Sequence, residues 1–348
     1  MQRSYIYRLF FLLILIFSIG SLQAQDPQYS QYYAAPLYLN PAFTGSELVP
    51  RVGFNYRNQW PGLDAQFTTF SAYIDTYLDE YNSGVGLMVM NDVEGAAKLR
   101  STTIAGFYSY ELRLSEKAFF RPGFRASYIR RDIGFFENLI FANQIVATDP
   151  FGPTLPSTDL PGLGEPVNLL SLSFGGLFFT ENFWFGIAAD HVNTPNQSFL
   201  DGVSRLPAKY SIHTGYRIAL ASGGYRRDFT HMARQRYIVP TLNYKRQGPF
   251  EQLDIGAYLY SEPLMIGLWY RGLPYRPIEN QLNRDAIVVM VGVNLPTGMN
   301  VGYSFDYTVS QLGMQSGGAH EISVSFLLAD KNKGKLRSRD TILPCPKF

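Results

Sequence analysis

The chain has 348 residues, a formal charge of +2, and a composition in which 17% of residues are charged and 15% aromatic. With 24 Tyr, 26 Phe and 31 Gly and a mean hydropathy of −0.08, it is neither a disordered chain nor a bundle of membrane helices, and it is too aromatic and charge-poor for an ordinary soluble enzyme. The small charge surplus gives no nucleic-acid footprint, and a lone cysteine, Cys345, excludes an internal disulfide framework or a cysteine-based zinc cage.

In chain order, Arg3 and Arg8 precede an apolar run from Leu9 to Ile19, followed by Gly20, Ser21, Leu22, Gln23 and Ala24. This is the layout of a secretory signal peptide over 1–24, because the apolar core is about half of the roughly 20 residues a membrane span needs and a small residue closes it. No cysteine follows the run, so Gln25 is expected to be the first mature residue; without Arg3 and Arg8 the mature chain balances 28 basic against 28 acidic residues. Residues 25–50 are rich in Tyr, Pro and Asn and alternate poorly, which reads as an ordered leader, periplasmic or plug-like, rather than a strand.

From residue 51 onward the hydrophobic period is two. Val301, Tyr303, Phe305 and Tyr307 oppose Asn300, Gly302, Ser304 and Asp306; Ile322, Val324, Phe326 and Leu328 oppose Glu321, Ser323 and Ser325. Between 118 and 132, Arg121, Arg125 and Arg131 stand opposite Phe120, Phe124, Ala126 and Tyr128. Fourteen such segments are expected, at 51–58, 66–77, 83–92, 99–114, 118–132, 169–180, 183–192, 208–219, 236–246, 251–260, 264–271, 285–295, 299–307 and 320–329. Most run about 9 to 13 residues, which crosses a bilayer when tilted, whereas strands of soluble sandwiches average about 5 or 6. The expected fold is therefore all-β: a transmembrane antiparallel β-barrel of about 14 strands over 51–329, in a bacterial outer membrane, with a secreted soluble β-protein as the alternative.

Connections after even-numbered segments are short, as periplasmic turns are, and those after odd-numbered ones are mostly long, led by 133–168, 193–207, 272–284 and 308–319. Two break the pattern, 220–235 being long and 247–250 short. The tail 330–348 carries Lys331, Lys333, Lys335, Arg337, Arg339 and Lys347 against Asp330 and Asp340 and reads as a solvated basic extension. Because an even number of strands returns the chain to its starting side, both termini are expected in the periplasm.

Chemistry-bearing constellations are absent from the sequence. His191, His213, His231 and His320 stand far apart, and there is no nucleophile elbow or phosphate loop, so no enzyme activity, cofactor or metal is expected. His213 falls on an inward face as a lumen hydrogen-bonding group. Asp75, Glu111, Arg113, Arg121, Arg125, Arg217, Asp254, Arg271, Asp306 and Glu321 are also expected to point inward. Mixed signs suit cross-lumen pairing that plugs or stiffens the interior, with a translocation or binding path as the other reading.

Several stretches resemble a known family: the leader with Asn40-Pro41-Ala42-Phe43-Thr44-Gly45, then Tyr56-Arg57-Asn58-Gln59-Trp60-Pro61, the stretch from Gly318 to Phe326, and the end Cys345-Pro346-Lys347-Phe348. Together they resemble the PorP/SprF family of type IX secretion outer-membrane proteins. The resemblance implies a barrel of a secretion and gliding apparatus that binds the C-terminal domain of a secreted surface adhesin and helps deliver or anchor it. Other type IX secretion components, some periplasmic, and membrane lipid are the further partners implied. A general outer-membrane porin or solute transporter is the alternative. Asn40, Pro41 and Gly45 are candidates for partner contact or for a turn closing the barrel floor. Arg57 and Trp60 are candidates for a substrate contact or a stacked pair at the membrane interface. Phe135, Phe136, Phe141, Phe151 and Phe199 are expected in the outer loops, as exposed aromatic anchors or folded inward as a plug.

Overall fold

The computed structural model describes residues 25–95, 97–134, 165–199, 202–220, 236–278, 281–310 and 313–328. Sixteen strand segments form one sheet. Leu112–Arg113 prolongs the strand that ends at Tyr110 and Ile218–Ala219 prolongs the one that ends at Tyr216, which leaves fourteen strands. They are β1 (Arg51–Gln59), β2 (Phe67–Leu78), β3 (Ser83–Glu94), β4 (Leu99–Tyr110 with its prolongation), β5 (Ala118–Ile133), β6 (Val167–Thr180), β7 (Phe183–Asp190) and β8 (Lys209–Tyr216 with its prolongation). The ring continues with β9 (Arg236–Gln247), β10 (Phe250–Ser261), β11 (Leu264–Ile278), β12 (Gln281–Asn294), β13 (Met299–Thr308) and β14 (Ala319–Leu327).

Successive strands pair antiparallel, and β14 pairs with β1 from Arg51↔Leu327 to Gln59↔Ala319. The sheet is thus a closed barrel with no free edge, the only way strands satisfy their backbone groups in hydrocarbon. The two faces are inverted relative to a soluble protein. On β4, Ser101, Thr103, Ala105, Phe107 and Ser109 are buried inside, while Ile104 and Tyr108 face out. Leu87, Leu170 and Leu268 stand on the outer surface at 61%, 57% and 57% exposure, as a lipid-facing band requires.

One end of the barrel carries the connections 79–82, 114–117, 181–182, 262–263 and 295–298 and is the short-turn end. The other, the long-loop end, carries 134–166, 191–208 and 309–318, together with the tight hairpin between Gln247 and Phe250. The expected loop 272–284 is corrected: β11 and β12 run on to Ile278 and from Gln281, paired at Gly272↔Arg284 and Ile278↔Gln281. Its Pro274 and Pro277 read as loop residues because proline donates no backbone hydrogen bond. Register shifts at Arg271/Gly272 and Leu273/Ile278 absorb them, with Gly272 at φ 153.

Residues 25–50 run through the lumen as a plug rather than lying below it. Asp26 meets His191, Lys209 and Gln247 at the long-loop end. Thr44 and Gly45 meet Ser109 and Asp75 at the short-turn end, where Leu328 donates its backbone N–H to the Pro50 carbonyl. Gln25, expected as the first mature residue, therefore lies at the long-loop end, whereas Leu328, the last described residue, lies at the short-turn end, and the C-terminus that the expectation also concerns falls in the tail outside the described residues. Strand counting placed the start of β1 properly but could not see that the leader doubles back through the interior. The expected signal peptide 1–24, the tail 330–348, and the connection 221–235 lie outside the described residues.

Candidate functional site

The plug is built from a short helix, α1 (Pro36–Leu39), and a single 3-10 turn, Pro41–Phe43. Pro36 and Pro41 each open a turn, where the missing N–H costs nothing. Asn40, extended at φ −160, separates the two and accepts from the Ala42 N–H at 2.9 Å. Around them Tyr32, Tyr33, Leu37, Ala42 and Phe43 are all 3% exposed or less. Trp184 donates its Nε1–H to the Tyr33 hydroxyl at 2.9 Å, and the two rings meet edge to face at 5.6 Å. The wall makes room with glycines: a Cβ on Gly175 would stand 2.0 Å from Asn40 Oδ1, and one on Gly123 would stand 2.3 Å from the Ala42 nitrogen.

Charged side chains tie this plug at several depths. Near the long-loop end Arg57 reaches Asp306 at 2.8 Å and Glu321 at 3.1 Å, and Arg271 reaches Asp254 and the same Asp306, both at 2.8 Å. Glu321 also accepts the backbone N–H groups of Ser30 at 2.7 Å and Gln31 at 3.0 Å. Both arginines donate to the Ser30 hydroxyl, which donates to Asp306 at 2.6 Å. Near the short-turn end Arg51 grips Asp75 through two bonds of 2.9 Å, and Asp75 takes the Gly45 N–H at 2.7 Å.

Asp26 closes the upper end. It is 2.8 Å from Lys209 and 2.9 Å from His191, while Lys209 also reaches Asp190, which pairs with Arg125 at 2.8 Å. Burial alone would raise the Asp26 carboxyl pKa, but His191 and Lys209 outweigh it and hold the group well below the ordinary carboxylate range.

Of the ten charges expected inside, Asp75, Arg121, Arg125, Asp254, Arg271, Asp306 and Glu321 are buried in the lumen, and half-buried Glu111 pairs with Arg121. Arg113 and Arg217 are corrections. Arg113 is exposed and donates to the Ser115 carbonyl, and Arg217 donates to the Glu181 carbonyl and Asn182, because both lie where their strands leave the barrel. Asp26, Arg51, Asp190 and Lys209 were missed. The last three sit at strand ends in inward register, a signal the period of two carries; Asp26 had none.

Asn40 lies deep in the lumen, its amide donating to the Gly176 and Ile187 carbonyls and 3.1 Å from His213 Nε2. His213 is wholly buried and stacks on Phe43 at 5.2 Å. Pro41 is buried beside it, and Gly45 needs to be glycine twice over, with φ 69 and the Gly84 Cα 2.8 Å from where its Cβ would be. Arg57 and Trp60 do not form a stacked pair: Arg57 turns into the lumen ion cluster, whereas Trp60 packs edge-on against Phe67 at 5.4 Å. Phe199 is half-buried in the connection after β7. Phe135, Phe136, Phe141 and Phe151 fall outside the described residues.

Above the plug a cavity of about 620 Å³ opens at the long-loop end, within the range of ligand sites. Trp60, Phe67 and Phe250 line its rim, and Lys245, Gln252 and Asp285 are among its polar groups.

The model of the type IX secretion system membrane protein PorP/SprF matches residues 21–326. The chain belongs to the PorP/SprF family. This PorP/SprF chain is therefore an outer-membrane barrel of a secretion system. No curated protein matches the sequence. Among solved structures, the P. putida toluene transporter TodX is 11% identical, with TM-score 0.44, covering 84% of this chain and 93% of that one. The monoaromatic hydrocarbon channel CymD is 12% identical, with TM-score 0.41, covering 85% and 93%. A mutant Rh. blastica porin is 7% identical, with TM-score 0.31, covering 80% and 98%. These weak likenesses say nothing of what this chain handles.

Proposed function

We propose that this PorP/SprF barrel binds the C-terminal domain of a secreted surface adhesin at its long-loop end and helps deliver or anchor it, within a type IX secretion and gliding apparatus. The observation that carries this reading is the occupied lumen. A leader buried along the barrel axis, held by the Asp26 ion pairs at one end and by the Gly45 N–H on Asp75 at the other, leaves little path for solutes, while the rim and the cavity above the plug remain open to a macromolecule. Long loops rooted in a rigid ring are where partner specificity is carried. The long-loop end faces outward and the short turns and basic tail face the periplasm, as in other barrels of this kind, so periplasmic components of the machinery would meet the short-turn end. The reading assigns no catalytic role to any residue.

Deleting 137–163 should abolish surface display of one exported adhesin while the barrel still assembles and shifts with heating on gels. Loss of every exported protein together would favour a role in the core machinery. The porin reading predicts a steady ionic conductance of the intact protein in planar bilayers; the plugged barrel should give none.

A further inference from the structure

Resting on that adhesin reading, the cavity above the plug carries a more specific inference through Lys245. Lys245 is on β9 with its side chain turned inward, in the cavity wall. The buried lumen cations Arg51, Arg57, Arg121, Arg125, Lys209 and Arg271 each have a carboxylate at ion-pair distance. Arg131 gives its guanidinium to Gln197. Lys245 has no hydrogen bond or ion pair among the described residues. Its cross-strand neighbours are the uncharged Ser211 and Gln252. On the adjacent strand Asp254 is engaged by Arg271, Gln252 and Asn243, and Glu251, which also lines the cavity, pairs with Arg246 at 3.7 Å.

A half-buried ammonium with no counter-ion, in a cavity where its stem is shielded from water, is an unfinished ion pair. We infer that this cavity receives the free carboxylate of an extended polypeptide end, with Lys245 as its counter-ion and Trp60, Phe67 and Phe250 packing on the last side chains.

The rest of the wall gives the ligand a direction. Glu94 on β3 lies six strands away round the ring, and Asp285 on β12 three strands away, both lining the same cavity. Neither can serve as counter-ion to a carboxylate, and both offer oxygen acceptors to backbone N–H groups, so the acid end points at Lys245 and the preceding chain runs out across the rim. A soluble dicarboxylate would meet Lys245 with one end and these acids with the other, which disfavours it.

The test uses the full chain in detergent and a fluorescein-labelled peptide, Gly-Ser-Gly-Ser-Phe, as free acid and as C-terminal amide, read by fluorescence anisotropy. The acid should bind and the amide should bind about tenfold or more weaker, the worth of one charge-assisted bond. Lys245→Gln should bring the acid down to the amide's affinity, and Lys245→Arg should restore it. No binding of the acid up to about 1 mM, equal binding of acid and amide, or full displacement by succinate alone would each overturn the inference. In cells, display lost on deleting 137–163 but kept in Lys245→Gln would sink the carboxylate site and leave adhesin docking standing. Display unaffected by the deletion would sink the docking reading itself.

Discussion

Replacing Arg57 by Met removes the cation shared between plug and wall while keeping much of its apolar stem. Four hydrogen bonds go with it: to Ser30 at 2.8 Å, Glu321 at 3.1 Å, Gln59 at 3.1 Å and Asp306 at 2.8 Å. The two carboxylates fare differently. Asp306 keeps Arg271 at 2.8 Å, whereas Glu321, fully buried, loses its cation and retains only the Ser30 and Gln31 N–H groups. Breaking a buried pair from one side costs about 3–5 kcal/mol, and the surviving donors place this case near ~3 kcal/mol. The exposed pair Lys117–Glu181, with side chains 73% and 52% accessible, is the internal control: Lys117→Ala should cost under about 1 kcal/mol. Urea unfolding in lipid vesicles, followed by tryptophan fluorescence, measures both. Adding Glu321→Gln to Arg57→Met should recover at least ~1 kcal/mol, since glutamine still accepts from the plug without an unpaired charge. If Arg57→Met costs no more than Lys117→Ala, the lumen ion cluster does not hold the plug and the argument fails.

Three further outcomes are expected. Gly175→Val should drive the plug off the wall and make residues 26–44 sensitive to protease, because its Cβ would be 2.0 Å from Asn40 Oδ1, whereas Gly106→Val, with nothing within 4 Å, should leave protease sensitivity unchanged. The Asp26 clasp contributes stability above the ordinary carboxylate pKa and loses it as pH falls toward the depressed folded value, so hydrogen exchange of residues 26–30 should stay slow at neutral pH and rise only below about pH 4. Asp26→Asn should show fast exchange at both pH values, and identical profiles for the two proteins would count against the clasp. In cells, Gln28→Cys in a Cys345→Ser background should react with an impermeant maleimide from outside, since Gln28 lines the open cavity, while Cys345 of the unaltered chain should react only after the outer membrane is permeabilised. The reverse pattern would mean an inverted barrel.

The barrel was legible because a single physical rule wrote it. Lipid on one side of each strand and a packed lumen on the other force a period of two, so the faces of 299–307 and 320–329 could be assigned from Tyr303, Phe305, Ile322 and Val324 alone. Where a second rule intervened, the reading failed. Pro274 and Pro277 signal a loop locally, yet the bulges around Gly272 let β11 and β12 carry them. Arg57 and Trp60, three residues apart, pass for a surface pair until the end of β1 at Gln59 turns them to different surroundings. The plug was only half legible. Its Tyr and Pro content marked it as ordered, but its path depends on Glu321 and Asp75, far away in sequence, and no local pattern encodes a contact across the lumen.

Those two carboxylates also explain why the plug is fixed by charges as well as apolar packing. Apolar side chains such as Leu37 and Phe43 favour burial but tolerate sliding, because the attraction is non-directional. Glu321 accepts two consecutive backbone N–H groups, Ser30 and Gln31, and Asp75 accepts the Gly45 N–H beside its bidentate Arg51. A shift of the leader by one residue would break both sets together, and would also drive a side chain into the space that only Gly45 fits. The leader is thereby pinned near both ends of the lumen at one register. A barrel with a pinned interior is a stiff ring, and stiffness is what lets the loops after β5, β7 and β13 vary in sequence while their roots stay in place. The same pinning sets the floor of the cavity at a fixed depth below Trp60 and Lys245, so a partner that reaches into the mouth meets a surface of constant shape rather than a mobile plug.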